Sequence, residues 1–298
     1  MMKREQPTHD TEAVSIQWFP GHMTRTKRQM EKCIRLVDAV AEIVDARVPV
    51  SSRNPVLHKL IQGKPRVILM NKSDMADPEQ TKRWLQHYRL QNIPAIAVDC
   101  RSGKGLNNFI PLVREVLRDR IAVWESKGMV GRTIRVMVVG IPNVGKSSLI
   151  NKLCRGGKAA VADRPGVTRE NRWFTIGKGF ELLDTPGVLW PKFEDPVVGE
   201  HLAFTGAVKD EVVDTERLAS RLLEALVPTY PKAVCERYRL EESFLPGRRG
   251  DEILEAFGKN RGMLMAGGVI NTERAAAAVL DEFRSARLGR ITLERVEE

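Results

Sequence analysis

Short runs of apolar residues recur along the first two thirds of the chain, and each run ends in a polar or glycine-rich loop. Runs of this length, rich in Val, Ile and Leu, predict buried strands, and helix-like segments separate several of them. Strands are predicted at residues 39–44, 66–70, 93–98, 134–139, 173–176 and 180–183. Strands alternating with helices predict a doubly wound α/β sheet.

Helical periodicity marks several intervening segments and then dominates the rest of the chain. Met30, Cys33, Ile34 and Val37 fall on one face of a helix whose other face is basic. Further helices are predicted at residues 56–61, 78–89, 106–124, 214–226, 231–239, 251–257 and 272–287. We therefore expect an α/β domain over residues 1–205, with an N-terminal extension at 1–17, and a small all-α domain over 206–298.

The strand predicted at 134–139 leads into residues 140–147, GIPNVGKS, and then into a helix-like segment. This order of strand, loop and helix is that of the phosphate-binding loop of nucleoside-triphosphate enzymes. Gly140 and Gly145 let the backbone curl so that N–H groups point at phosphates, and the helix N-terminus adds unpaired donors. Lys146 can reach the β- and γ-phosphates, and Ser147 can bind Mg²⁺. A Cβ atom at Gly145 is expected to intrude on the phosphate path.

Residues 71–74, NKSD, follow directly after the strand predicted at 66–70. The carboxylate of Asp74 can accept hydrogen bonds from both the N1–H and the exocyclic amine of guanine, an arrangement that adenine does not offer. Asn71 and Lys72 are expected to brace this loop and to cover the base. Ligands bind at the carboxyl ends of strands in open α/β sheets. The motif therefore indicates guanine recognition and disfavours a P-loop kinase or ATPase.

A third motif, DTPG at residues 184–187, ends the strand predicted at 180–183. Asp184 can hold the water shell of a magnesium ion, and the N–H of Gly187 can meet a γ-phosphate. Many GTPases place a glutamine after this glycine to orient the attacking water, whereas this chain has Val188. Because a hydrophobic side chain cannot hold water by hydrogen bonding, we expect slow intrinsic hydrolysis and a water-orienting group from elsewhere.

The composition is that of a soluble globular protein, with 42% hydrophobic and 29% charged residues in 298 positions. No apolar run reaches the length needed to cross a bilayer, and residues 1–16 lack the apolar core of a secretory signal, so we expect a cytoplasmic protein. The four cysteines are widely spaced, which argues against a zinc site or a disulfide framework. His9, His58, His87 and His201 lack metal-ligand spacing and are interpreted as surface or structural residues.

The net charge of +10 is unevenly distributed. The first 208 residues contain 33 basic and 21 acidic residues, whereas the remainder contains 15 and 17. A basic body of this kind is typical of proteins with a polyanionic partner such as nucleic acid. Charge alone leaves open the alternative that it serves only solubility.

The order of the motifs is that of a circularly permuted GTPase. The guanine motif and residues 99–101, DCR, precede the phosphate loop, Thr168 and residues 184–187, whereas ordinary small GTPases have them last. The chain resembles the ribosome biogenesis GTPase A (RbgA/YlqF) family over nearly its whole length from Ile16. Segments that carry this resemblance include WFPGHM at 18–23, DARVP at 45–49, DTPGVLWP at 184–191, GKNRG at 258–262 and the glycine pair at 267–268.

The resemblance implies a Mg²⁺-dependent GTPase that binds the maturing large ribosomal subunit and its rRNA, and we expect the protein to be a monomer. It further implies promotion of late assembly, stimulation by the subunit, and release when GTP is hydrolysed to GDP and phosphate. The positions that match the family's nucleotide contacts are Asn71, Lys72, Asp74, Cys100, Arg101, Asn143, Val144, Gly145, Lys146, Ser147, Ser148, Thr168, Asp184 and Gly187.

Metal and backbone roles are implied in the same way. Ser147 and Thr168 match direct magnesium ligands, and Asp184 matches a ligand that acts through water. Asn143 matches the asparagine that coordinates potassium in related GTPases, so a bound K⁺ is also expected. Cys100 occupies the position whose backbone N–H meets the guanine oxygen.

Lys146, Thr168 and His22 are the residues expected to act in hydrolysis. His22 matches the histidine of the family's N-terminal motif, and an imidazole can hydrogen-bond water near neutral pH. The alternative is that His22 only structures a Pro-Gly turn.

In the family the all-α tail helps to hold ribosomal RNA. The candidate contacts here are Arg248, Arg249, Lys259 and Arg261. A competing hypothesis is a nucleotide-gated RNA-binding protein that acts outside ribosome assembly. Sedimentation with purified particles would separate the two.

Overall fold

The computed structural model describes residues 23–154, 161–162, 172–177, 179–190 and 193–296. Its strands are β1 (Ala39–Asp45), β2 (Arg66–Asn71), β3 (Ala95–Ala97), β4 (Ile134–Val139), β5 (Val161–Ala162), β6 (Arg172–Thr175) and β7 (Phe180–Asp184). Within the described residues these form one sheet, of order β3-β2-β1-β4-β7-β6-β5. The pairings between β3 and β7 in this order are parallel, and β6 and β5 continue the sheet antiparallel. The predicted α/β class is confirmed.

The central strands are apolar along their length because helices cover both faces of the sheet. Every residue of β1 is buried, as is almost all of β4. In the parallel register Asp45 lies opposite Asn71, and Val138 lies opposite Asp184. The carboxyl ends of β1, β2, β4 and β7 therefore meet at one edge, and each predicted motif begins there.

The helices are α1 (Met23–Ile34), α2 (Pro55–Leu60), α3 (Pro78–Leu90), α4 (Phe109–Val116), α5 (Arg118–Ser126), α6 (Lys146–Cys154), α7 (Pro196–Phe204), α8 (Thr215–Leu226), α9 (Pro231–Tyr238), α10 (Gly250–Asn260) and α11 (Thr272–Arg284). Several begin at a side-chain cap. Asp77 accepts hydrogen bonds from the amides of Glu79 and Gln80, and proline occupies the first position of α3.

The amphipathic pattern of α1 is confirmed by its packing. Met30, Cys33 and the following Val37 are 2–3% exposed and contact Met137 and Val139 on one face of the sheet. The four cysteines are buried and form no disulfide in the described part of the chain, as expected of core fillers.

The helical region after residue 205 shares a core with the other face of the sheet. One apolar cluster runs from Val138 through Leu202 on α7 to Leu222, Phe257 and Val279 on α8, α10 and α11. Beyond α11, residues 290–294 return to the loop that follows β2. The domain boundary at 205/206 stays a prediction. The residues before and after it share one continuous apolar core.

The structure differs from the predicted elements in several places. The long helix predicted at 106–124 is a short 3-10 helix (Leu106–Asn108) followed by α4 and α5, because the fully buried Leu117 holds α4 to the core while α5 buries no residue. Helix α7 and the two-residue strand β5 lie in segments for which no element was predicted. No helix in the described ranges is both long and apolar enough to cross a membrane.

Candidate nucleotide-binding site

The phosphate loop joins β4 to α6 at the carboxyl edge of the sheet. Gly145 has φ +108°, a left-handed conformation that favours glycine. A Cβ atom added at Gly145 would strike the side-chain amide nitrogen of Asn71, in the base loop. A side chain at Gly145 would therefore meet Asn71 within the protein itself, and its predicted intrusion on the phosphate path stays a prediction.

Asn71 connects the phosphate loop to both predicted base loops. It is 4% exposed, its Nδ2 donates to the backbone oxygen of Val144 over 2.7 Å, and its Oδ1 accepts from the backbone amide of Cys100 over 2.9 Å. Two good hydrogen bonds to buried backbone groups fix this side chain and both loops. Asn71 thus braces the site, while its contact with a guanine nucleotide stays a prediction.

The amide of Cys100, predicted to meet the guanine oxygen, is engaged with Asn71. The next two amides, of Arg101 and Ser102, donate to Asp99 over 2.8 and 3.2 Å. Burial opposes ionisation of Asp99, but hydrogen bonds from Ser102 and Arg101 outweigh it and hold its pKa below the ordinary value. The backbone amides of Cys100, Arg101 and Ser102 are therefore all hydrogen-bonded within the protein. The guanine contacts of Cys100 and Arg101 remain predictions.

Lys72 extends from the base loop to a buried ionic cluster. It has φ +61°, and its Nζ lies 2.9 Å from Asp45 Oδ2 at the end of β1. Arg47 also holds Asp45, with Nε and Nη2 at 2.9 and 2.8 Å from the two carboxylate oxygens. Burial opposes ionisation of Asp45 most strongly, but the charges of Arg47 and Lys72 keep its pKa well below the usual range. The lysine expected to cover the base is thus anchored at its charged end.

Asp74 remains open to a ligand. Its side chain is exposed and has no hydrogen bond or ion pair within the described residues. A carboxylate held on a braced loop with both oxygens open is the arrangement that recognition of the guanine edge needs.

Lys146 lies at the centre of the predicted phosphate site. It is 8% exposed, and its Nζ donates to the backbone oxygens of Gly140 and Ile141 over 3.1 and 2.7 Å. Burial lowers the pKa of Lys146 to about 8, against the opposing effect of the Asp184 carboxylate. Burial in turn raises the pKa of Asp184, which the Lys146 charge partly offsets.

The DTPG loop packs directly against the phosphate loop. A Cβ atom at Gly187 would lie 2.8 Å from Lys146 Nζ and 2.9 Å from Pro142 Cα. These separations are too short for an added carbon, so only glycine fits here. The structure therefore brings together the end of β7, the phosphate lysine and the loop after β4.

The candidate magnesium donors are hard oxygen atoms. The hydroxyl of Ser147 is exposed at the start of α6, and Asp184 contributes a carboxylate. Within the described ranges, no group of three or more His, Cys, Asp or Glu side chains could hold a metal ion. Such a sparse set fits Mg²⁺, which keeps several waters and takes phosphate oxygens as ligands. Thr168 and His22 lie outside the described residues, and their predicted roles remain predictions.

Asn143 connects the phosphate loop to the helical region. Its side chain is exposed, and Nδ2 donates to the backbone oxygen of Gly206 over 2.7 Å. Its Oδ1 has no hydrogen bond within the described ranges, which leaves an oxygen for the predicted potassium ion.

The segment after the DTPG glycine is apolar in the structure as in the sequence. Leu189 and Trp190 are buried, and the backbone oxygen of Val188 accepts from Asn54 Nδ2 over 2.8 Å. Val188 and Leu189 carry no polar side-chain atom that could orient a water molecule. Sequence reasoning assigned no role to Asn54, Asp45 or Arg47, although charged residues directly after a buried strand, as in DARVP, are a signal that could have indicated them.

Comparison with known proteins agrees with this geometry. A family model described as "50S ribosome-binding GTPase" matches residues 135–228, which begin in β4. Ribosome biogenesis GTPase A of Bacillus licheniformis is 44% identical over 286 residues, covering 95% of this chain and 99% of the relative. That of Thermotoga maritima is 31% identical over 283 residues, covering 95% of both.

Two solved structures are similar along most of the chain. GNP-bound YlqF from T. maritima has a TM-score of 0.64 and 29% identity, covering 91% of this chain and 98% of the other. The GDP-bound structure of TM YlqF has a TM-score of 0.66 and 28% identity, covering 91% and 100%. With a relative 44% identical over almost the full length of both chains, this chain belongs to the ribosome biogenesis GTPase A family.

Proposed function

We propose that this protein is a GTPase of ribosome assembly: it binds the maturing large subunit, promotes its late assembly, and hydrolyses GTP to GDP and phosphate to be released. The observation that carries the proposal is the joining of the base loops to the phosphate loop by Asn71, at 2.7 and 2.9 Å. The 44% identity to a full-length ribosome biogenesis GTPase A supports the ribosome as the setting.

Asp74 and Lys146 are assigned to the two ends of GTP. Asp74 accepts from the N1–H and exocyclic amine of guanine. Lys146 exchanges its backbone acceptors, the oxygens of Gly140 and Ile141, for β- and γ-phosphate oxygens. Because phosphate favours the charged ammonium, nucleotide binding raises the pKa of Lys146 from about 8.

Ser147 and Asp184 are assigned to magnesium, together with Thr168. The ion would neutralise charge on the phosphates during cleavage of the β–γ anhydride. Lys146 and the backbone amides of the phosphate loop then stabilise the charge that develops on the phosphate oxygens.

Water activation is assigned to His22, because Val188 cannot perform it. Without such a group the basal rate is slow, and docking on the subunit completes the site. Asn143 is assigned to K⁺ through its open Oδ1.

The RNA contact is placed on α1. Arg28 and Lys32 on α1, and Arg35 in the turn directly after it, are exposed away from the buried face and have no ion pair within the described ranges. Unpaired cations on one helix face are the arrangement that binds phosphates. The protein is further proposed to act as a cytoplasmic monomer.

The predicted contacts on the helical tail are less suited to RNA than expected. Arg248, Arg249 and Arg261 pair with Glu252, Asp251 and Glu282 at 2.9, 2.5 and 3.5 Å. These carboxylates offset the charge, which leaves Lys259 as the cation there without an ion pair within the described residues.

The test measures GTP turnover with and without purified large subunits, in potassium and then in sodium buffer. Strong stimulation by the large subunit is expected, with a further gain in potassium that is lost in Asn143→Ala. Tight GTP binding with no stimulation by any ribosomal particle would instead support an RNA-binding role outside ribosome assembly.

A salt titration of particle binding tests the RNA surface. Replacing Arg28, Lys32 and Arg35 together by Ala should reduce the slope of log K against log salt by roughly one for each phosphate that the variant no longer binds. The matched control replaces Arg248, Arg249 and Lys259, and an equal decrease in slope there would refute the assignment to α1.

A further inference from the structure

Residues 290–294, here called the C-terminal strap, run alongside the loop that carries Asp74. Arg290 donates from Nη2 to the backbone oxygen of Ser73 over 2.9 Å and from Nε to that of Ala76 over 3.0 Å. The amide of Ile291 donates to Met75 O over 3.0 Å. The backbone oxygens around Asp74 are thus held by the end of the helical region.

The strap is itself firmly anchored. Thr292 is fully buried, its Oγ1 accepts from the amide of Asp77 over 3.1 Å, and its backbone oxygen accepts from Tyr230 over 3.1 Å. The amide of Leu293 donates to Arg47 O over 2.8 Å. Its position relative to the base loop is therefore fixed by buried contacts on both sides.

A second contact joins the helical region to Lys72. Arg47, which shares Asp45 with Lys72, donates from Nη1 towards the backbone oxygen of Phe283 over 3.4 Å, and its guanidinium lies 5.2 Å from the centre of the Phe283 ring. Both charged residues of the NKSD motif, Lys72 and Asp74, are thus supported by the end of α11 and the segment after it.

Within the described residues, the carboxylate of Asp74 makes no hydrogen bond or ion pair that would fix it. The position of this carboxylate therefore depends on how the neighbouring peptide groups are held. On the sheet side these are held by Ser73, whose Oγ donates to Val98 O over 2.9 Å. On the outer side they are held by Arg290. Charge-assisted hydrogen bonds to backbone oxygens are among the stronger single contacts in proteins.

We propose that the C-terminal strap positions Asp74 for guanine recognition, with Arg290 as the positioning residue, so that the helical region controls selectivity for the base. This deepens the proposed function, since it rests on GTP being the ligand. By linkage, a partner that shifts the strap changes nucleotide affinity, and nucleotide binding changes partner affinity by the same factor.

The test compares the affinities of GTP and inosine triphosphate, which lacks the exocyclic amine that Asp74 reads. Fluorescence competition gives both dissociation constants for wild type, Arg290→Ala and Arg290→Lys. Displacement of the carboxylate should lower the GTP-over-ITP preference of Arg290→Ala by roughly fivefold or more, with partial recovery in Arg290→Lys. Arg287→Ala, an exposed change near the strap that removes no hydrogen bond to the loop, is the matched control.

A double-mutant cycle separates positioning from general loosening. In an Asp74→Ala background, Arg290→Ala should change the preference no further. Thr292→Val, which keeps the buried shape but removes the hydroxyl that holds the amide of Asp77, should act in the same direction as Arg290→Ala. Unchanged preference in both single variants overturns the proposal, as does an equal loss of GTP and ITP binding. If wild type itself fails to prefer GTP over ATP, the proposed function fails instead.

Discussion

Replacing the side-chain amide of Asn71 by a carboxylate tests whether this side chain holds the base loops and the phosphate loop together. Asn71→Asp preserves the shape and the acceptor for the Cys100 amide, and removes only the donor to Val144 O. The backbone oxygen of Val144 is then buried without a donor, and a carboxylate oxygen faces it at a separation that had been a 2.7 Å hydrogen bond. An unsatisfied buried acceptor costs about 1–3 kcal/mol, and the facing oxygens add to this.

Because GTP is proposed to contact both loops that Asn71 joins, we expect this cost to weaken binding as well as folding. A loss of about 2 kcal/mol corresponds to roughly 30-fold weaker GTP affinity at pH 8. The buried position also raises the pKa of the introduced carboxyl, whose protonated form can donate to Val144 O again. We therefore expect the defect to be smaller at pH 6 than at pH 8.

Titration with a fluorescent GTP analogue at both pH values, alongside urea unfolding, measures both effects. Asn92→Asp is the matched control, since Asn92 is exposed in the turn after α3. Affinity and stability at pH 8 equal to wild type would show that the Asn71 bridge does not hold the site together.

Three further predictions follow from the same geometry. Burial lowers the pKa of Lys146 to about 8, so its ammonium loses the proton as the pH rises from 7 to 9. GTP affinity should therefore fall over this range, and calorimetry should show proton uptake on binding. A GTP affinity that does not change with pH would contradict this. Gly187→Ala should weaken GTP binding by at least about tenfold, measured by titration, because the added carbon would lie 2.8 Å from Lys146 Nζ. An affinity equal to wild type would show that the two loops can move apart freely. Asp45→Asn leaves Arg47 buried beside a neutral partner, and it should lower the free energy of unfolding, measured in urea, by about 3 kcal/mol. GTP affinity should decrease as well. A change in unfolding free energy within about 0.5 kcal/mol, which is roughly the scatter of neutral surface substitutions, would refute this.

The position of the site could be predicted because its motifs are continuous in the sequence. NKSD, GIPNVGKS and DTPG each follow an apolar run, and parallel strands carry whatever follows them to one edge. The residue types then indicate the chemistry: a carboxylate for the guanine edge, a lysine for phosphate, and a hydroxyl for magnesium.

The supporting contacts could not be predicted in this way. Arg290 lies 217 positions after the backbone oxygen that it holds, and Arg47 meets the end of α11 236 positions away. Hydrophobic periodicity shows which face of a helix is buried but not which loop a returning segment contacts. The break at Leu117 was missed because apolar residues continue beyond it, although α5 buries none of its side chains fully.

The pairing of β1 with β4 has a consequence for how the chain folds. Val40 and Met137 are partners in this pairing although 97 positions separate them, so forming it costs more chain entropy than forming the other described strand pairings. Asn71 comes from the strands on one side of this pairing, and Lys146 follows β4 on the other side. A nucleotide bound by both the base loop and the phosphate loop, as proposed, would therefore link the two halves of the sheet across the described strand pairing with the largest sequence separation. Binding at this place would stabilise the folded chain by mass action, with GTP serving as a non-covalent crosslink between the two halves.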